Sequence, residues 1–148
     1  MSSGRLTRLA VRALDSAAKL TPRPKKAEHL KTGRRGEEEA YFYLRRLGYI
    51  IVARNFRSPR RRGEIDLIGW EKDVLCFIEV KTRTSRAVMP AEAAVDEAKR
   101  RELVAVAREY LRRVPGKPAA RFDILSIYLE RGSGTPDITL FKSAFSMQ

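Results

Sequence analysis

Two short segments, Gly63-Glu64-Ile65-Asp66-Leu67-Ile68 and Cys76-Phe77-Ile78-Glu79-Val80-Lys81, alternate apolar and charged residues with a period of two. That alternation suits a β-strand and not a helix. Gly69 to Val74 lies between them as a polar turn region, so the pair predicts a hairpin. With Lys72-Asp73 at the tip, Asp66 faces Glu79 and Glu64 faces Lys81. Directly opposed residues hold their Cβ atoms about 4.5–5.5 Å apart. Ile65, Leu67, Ile78 and Val80 then share the other face, which is expected to supply the core. Lys72-Asp73 is not the Asn-Gly or Asp-Gly pair that two-residue turns favour, which leaves a longer loop open. A slip of two residues would keep Asp66 and Glu79 on one face as diagonal neighbours, whereas a slip of one would expose the apolar set. Three acids and a lysine therefore crowd one patch of an otherwise apolar hairpin, an arrangement suited to a divalent cation.

Around the hairpin, the body is expected to open with a helix from about Arg34 to Leu47, closed by Gly48. Ala40, Tyr41, Leu44 and Leu47 mark its buried stripe, and Glu37 falls on that same stripe. Tyr49 to Asn55 reads as a first strand. Pro90 and Ala91 start a short helix, and a longer one runs from an Asp96 N-cap to Val114, with Leu103, Val106, Ala107, Tyr110 and Val114 on its apolar face. Pro115-Gly116-Lys117-Pro118 is a break. Phe122 to Leu129 is a fourth strand, Arg131-Gly132-Ser133-Gly134 a turn, and Ile138 to Phe141 a short fifth. This order argues for an α/β fold, a mixed sheet flanked by helices. Residues 1–31 form a basic arm, partly helical or disordered: Leu6, Leu9, Ala10, Ala13, Leu14, Ala17 and Leu20 keep helical spacing until Thr21-Pro22-Arg23-Pro24. Residues 32–148 make the folded domain.

A chain of 148 residues, 43% of them hydrophobic, can bury about two-thirds of its unfolded surface as one domain. Its net charge is +13, which favours polyanionic partners, nucleic acid first. The excess is not confined to the arm. Residues 1–32 carry eight Lys/Arg and two Asp/Glu, leaving 23 basic and 16 acidic residues and a body of +7. Cys76 is the sole cysteine and His29 the sole histidine. Disulfides, cysteine zinc sites and every two-histidine mechanism are excluded. No apolar run approaches the ~20 residues of a membrane span, and Arg5, Arg8 and Arg12 interrupt any signal-peptide core. A reducing, cytoplasmic setting is expected.

Oxygen ligands without histidine or cysteine point to a hard cation, Mg²⁺ or Mn²⁺. Held by Asp66 and Glu79, such an ion would polarise a phosphoryl oxygen and acidify a bound water. Lys81, two residues past Glu79, projects from the same face and can orient the water or stabilise transition-state charge. Glu64 can add an outer ligand or hold Lys81 in place. The plain alternative is a set of cross-strand ion pairs on a solvated sheet. It is weakened because Asp66 and Glu79 are like charges set together, an arrangement that destabilises unless a cation intervenes. Just before the hairpin, Arg54, Arg57, Arg60, Arg61 and Arg62 put five arginines within nine residues, a run suited to gripping phosphates. Phe56 among them can stack on a base, though a core role suits it better.

At Asp66 and Glu79-Val80-Lys81 the chain resembles the PD-(D/E)-x-K nuclease superfamily. More narrowly, Gly33-x-x-Gly36-Glu37, Tyr43-Leu44-x-x-x-Gly48-Tyr49, Asn55-Phe56-Arg57, Gly63 to Ile68, Phe77-Ile78-Glu79-Val80-Lys81-Thr82-Arg83, Lys99, Arg121-Phe122-Asp123 and Ala144-Phe145 resemble the YraN-like bacterial proteins. These are similar in fold to archaeal Holliday-junction resolvases. The resemblance covers about residues 32–146 and implies a restriction-endonuclease-like fold. It also implies a metal-dependent endonuclease acting on DNA, branched or junction DNA included. Glu37 would be the helix-borne acid that joins the metal ligands Asp66 and Glu79. Lys81 would be the catalytic lysine, Glu64 a supporting acid, and Arg83 a further nucleic-acid contact. Ile65 replaces the proline before the superfamily's aspartate. Lys99 and Asp123 match family positions without an assigned chemistry. Cutting a junction symmetrically would require two active sites, hence a homodimer. The alternative function is a non-catalytic nucleic-acid-binding protein on the same fold.

Overall fold

A computed structural model describes residues 25–84, 95–130 and 134–147. Residues 1–24 of the basic arm, the short helix expected at Pro90-Ala91, and most of the turn at Arg131 to Gly134 lie outside these. Five strands form one mixed sheet in the order β1-β2-β3-β4-β5. The strands are β1 (Ile50–Arg57), β2 (Glu64–Glu71), β3 (Val74–Arg83), β4 (Ala119–Tyr128) and β5 (Asp137–Phe145), with helix α1 (Lys25–Arg46) before β1 and α2 (Glu97–Leu111) between β3 and β4. β3 and β4 pair in parallel, and every other neighbouring pair is antiparallel. A parallel pair needs a crossover connection, and α2 lies within it. The architecture is α/β, consistent with a restriction-endonuclease-like fold. Among the described residues no helix is long and apolar enough to cross a membrane.

The hairpin of β2 and β3 has the expected register, with Glu71 paired to Val74 and Leu67 to Ile78. Lys72 at the tip takes a left-handed φ of 52°, which is how a non-glycine residue satisfies so tight a turn. The paired ladder ends at Leu67 and Ile78. Beyond it, Val80 N donates to Asp66 Oδ2 at 2.8 Å, a side-chain bond in place of a strand bond. Side-chain alternation also breaks at this point. Leu67, Cys76 and Ile78 pack with Ala40 and Leu44 of α1, while Ile65, Ile68 and Phe77 pack with Leu103, Val106 and Ala107 of α2. The expectation of one apolar and one polar hairpin face is thus corrected. The sheet is covered by a helix on each face, so both faces carry core, and Ile65 and Leu67 belong to different halves of it.

α1 starts at Lys25 rather than Arg34. Lys25-Lys26-Ala27-Glu28 are good helix formers, and Glu28 in the first turn complements the helix dipole. The single Gly33 costs only about 1 kcal/mol against that. Its end is a Schellman turn, with Gly48 N donating to Arg45 O at 3.0 Å and Tyr49 N to Leu44 O at 3.0 Å, and Gly48 at φ 92°. Leu47, expected in the buried stripe, lies past the last helical residue and is 53% exposed. α2 is capped as expected, Asp96 Oδ1 accepting from Lys99 N at 2.8 Å.

β1 is an outer strand of the sheet. Its pairing with β2 shifts between Ile51 and Ala53, a bulge at Val52, and both Ile50 and Val52 are exposed. On β4, Asp123 pairs with Ile78 of the hairpin and is fully buried. It accepts from Arg121 Nε at 2.9 Å and from Ser143 N at 2.9 Å. Arg121 also bonds Tyr49 Oη at 3.1 Å and pairs with Glu71, which in turn takes Lys142. Asp123 thereby joins β2, β4 and β5, and its place is structural.

Candidate metal and nucleic-acid site

The site is assembled where β2 and β3 leave their ladder. Glu79, on β3, is buried at 5% exposure. Its Oε1 faces two ammonium groups, Lys81 Nζ at 3.4 Å and Lys99 Nζ at 3.6 Å. Its Oε2 is buried with no hydrogen-bond partner among the described residues. A buried carboxylate oxygen left bare costs about 1–3 kcal/mol or more, and its remaining lone pairs suit a cation.

Asp66 stands beside it on β2. Burial, then the charge of Glu79, pushes its carboxyl up to about 8, against the Val80 N–H bond, which lowers it; Glu37 and Glu64 add further repulsion. Glu37, half-buried on α1, is raised as well, first by burial and then by Glu64, with Arg54 opposing. The four acids feel one another's charge.

What brings Glu37 so close is its neighbour. A Cβ on Gly36 would lie 1.8 Å from Thr82 Oγ1, so only a glycine lets α1 approach the end of β3 at this point.

Oxygen donors with one bare buried carboxylate oxygen fit a hard cation, which often takes only one or two carboxylates alongside waters and phosphates. Among the described residues no three acids gather into one ligand group. The residues therefore fit an ion held by Asp66 and Glu79, with Glu37 near it rather than in a closed cage.

Glu64 does not hold Lys81. It faces Arg57 across β1 and β2 and pairs with it. With the Asn55 amide nitrogen turned toward the acids, it donates to Glu37 Oε2 at 3.2 Å and Glu64 Oε1 at 3.0 Å; the reverse orientation would set its oxygen against theirs. Asn55 adopts φ 49°, a conformation that asparagine tolerates better than most residues.

Asn55 and Lys99 are the two site members that chemistry read from sequence does not assign. Both stand in the motifs of the family resemblance, and each had one further faint signal: Asn55 is a turn-forming residue at the end of an apolar run, and Lys99 stands in the first turn of a capped helix.

The arginines divide. Arg54 lies over the Tyr41 ring, 4.7 Å from its centroid. Arg57 is taken by Glu64, and Arg61 is 3.9 Å from Glu109. Arg60 and Arg62 are exposed in the loop before β2, and Arg83 is half-buried at the end of β3. Phe56 packs edge-on against Tyr110 at 5.0 Å, which makes it a core residue. Cys76 is buried, and burial raises its thiol to about 11, so it is inert at neutral pH.

Residues 36–127 match the Uncharacterised protein family UPF0102. A UPF0102 protein of Koribacter versatilis is 58% identical over 139 residues, covering 94% of this chain and 94% of that protein. One from Solibacter usitatus is 46% identical over 76% of this chain and 84% of its own length. Another, from Caldicellulosiruptor saccharolyticus, is 38% identical over 76% of this chain and 95% of its own length. With a family match over residues 36–127 and relatives 38% to 58% identical over 76% to 94% of its length, the chain belongs to the UPF0102 (YraN-like) family.

Proposed function

We propose that the protein is a metal-dependent endonuclease that hydrolyses phosphodiester bonds in DNA, with branched or junction DNA as the first substrates to test. The observation that carries this reading is Glu79, a buried carboxylate with one oxygen shared by two lysines and the other bare, set against the crowded Asp66. Such a pair is costly as it stands, and a cation between the two would relieve it. Mg²⁺ or Mn²⁺ held by Asp66 and Glu79 would supply a polarised phosphoryl oxygen and an acidified water.

The chain's own groups do the rest. Lys81 orients the attacking water and balances the negative charge that grows as its oxygen bonds to phosphorus and the ester P–O bond breaks. Lys99 holds Glu79 in place from α2. Asn55 ties Glu37 to Glu64 and so fixes the acid on α1 against the strands. The exposed Arg60 and Arg62 grip flanking phosphates, with Arg83 as a further contact. A reducing, cytoplasmic setting and a homodimer for symmetric cutting belong to this reading too.

Replacing Asp66 by Asn tests it. Cleavage of a panel of branched, single-stranded and duplex DNA in Mg²⁺ or Mn²⁺ should be lost, while affinity for the same DNA persists. Cleavage by Asp66→Asn at the wild-type rate would end the mechanism. The second reading, a nucleic-acid-binding protein that does not cut, draws on the failure of three acids to gather among the described residues. It is the correct one if neither metal gives cleavage by the wild type while salt-dependent binding stays intact.

A further inference from the structure

Glu37, Tyr41 and Arg45 are four residues apart on α1 and so form one stripe along the helix, about 12 Å long. The stripe begins at the acid site and leads away from it. Along it the guanidinium of Arg54 lies 4.7 Å and that of Arg45 5.6 Å from the Tyr41 ring centroid, and Arg45 also donates to Tyr41 Oη at 3.3 Å. The neighbouring Phe42 sets its ring edge-on to Tyr41 at 5.3 Å and is 48% exposed.

Several arginines elsewhere in the protein are spent on acids: Arg57 on Glu64, Arg61 and Arg112 on Glu109, Arg121 on Glu71 and Asp123. Among the described residues Arg45 and Arg54 meet no carboxylate within ion-pair distance. They are held by a ring instead, which orders the side chain yet leaves its charge and most of its N–H donors free. A place at the negative end of α1 accounts for Arg45, but not for Arg54 on a strand or for a half-exposed Phe42.

Ring-held cations outside ion-pair distance of any acid, Arg54 acting on Glu37 only from farther off, are with an open aromatic ring the parts of a surface for unpaired nucleic acid, the cations tracking phosphates and the ring taking a base. In a duplex each base is already stacked between its neighbours and cannot lie on a protein ring. Resting on the reading that nucleic acid is the partner, we infer that an unpaired strand leaves the acid site along α1, with its phosphates on Arg54 and Arg45 and a base against Phe42. The substrates so favoured contain a single-stranded segment next to the bond at the site.

The full chain, in EDTA, is titrated into three labelled probes: a single-stranded oligonucleotide, its blunt duplex, and the duplex with a single-stranded tail. Phe42→Ala, checked for an unchanged melting temperature, should weaken the single-stranded and tailed probes roughly fivefold or more while leaving the blunt duplex within about twofold. Phe42→Trp should keep wild-type affinity, and Arg45→Ala should show the same selective loss as Phe42→Ala. Equal loss on all three probes would make the stripe a general phosphate surface, and no loss on any would leave it without a role; either result overturns the inference. Its fate is separable from that of the nuclease. Selective loss in Phe42→Ala with no metal-dependent cleavage by the wild type would retain the strand surface and reject the nuclease. Cleavage that requires Asp66, with single-strand affinity indifferent to Phe42, would do the reverse.

Discussion

Asp66 is where protonation and stability meet. Burial and the charge of Glu79 raise its carboxyl to about 8, from an ordinary value of about 4. For an acid raised in the folded state, the stabilising contribution is complete below the ordinary value and is lost as pH climbs through the raised one. Metal-free protein should therefore lose stability between about pH 4 and pH 8 on this account, and Mg²⁺, which favours the charged form, should restore most at the upper end. Melting temperatures with EDTA and with Mg²⁺ across that range check it; a gap between the two that does not widen with pH would contradict the crowding of Asp66 and Glu79. At this scale Asp66, Glu79 and Lys81 were legible in the sequence, because period-two spacing alone sets them on one hairpin. Asn55 was not, since its left-handed backbone within β1 leaves no mark in the alternation of the strand. Lys99 was hidden for another reason: its reach to Glu79 depends on where a crossover helix lands, which local spacing does not encode.

At the scale of elements, the packing of α1 on β3 decides whether Glu37 belongs to the site. Gly36→Ala would drive a methyl group into Thr82, and such overpacking costs about 1–3 kcal/mol. Melting should show that loss, and the rate of any metal-dependent cleavage should fall further than stability alone explains, because Glu37 moves with the helix. Adding Thr82→Ala removes the nearest atom and should recover part of both. An unchanged rate would mean that Glu37 is a bystander. The hairpin register and the Asp96 cap follow from short-range patterns and came through as expected. Strand β5 was underestimated, running from Asp137 to Phe145 rather than ending at Phe141. Lys142 and Ser143 break its apolar pattern, and Ser143 is kept in the strand by a distant partner, its N–H donating to buried Asp123.

For the molecule as a whole, charge governs how it meets nucleic acid. Arg60→Ala with Arg62→Ala should weaken binding and flatten its salt dependence by about 0.7–0.9 in log–log slope for each phosphate no longer neutralised, while the cleavage rate of bound DNA stays near wild type. An unaltered slope would place the phosphates elsewhere. The general architecture was readable because both helices and the hairpin announce themselves locally. The two-sided core was less so, since a strand buried on both faces is only distinguishable from a half-exposed one once its helices are in position. The outer strand β1 carries one more consequence. Exposed Ile50 and Val52 would make a flat edge adhesive toward other molecules of the same chain. The bulge at Val52 interrupts the row of backbone donors and acceptors after Ile51, and Arg54 and Arg57 follow at once with like charge. A second copy would find no continuous template on which to extend the sheet, so the irregularity that precedes Asn55 on its way to the acids also guards the protein against fibril growth.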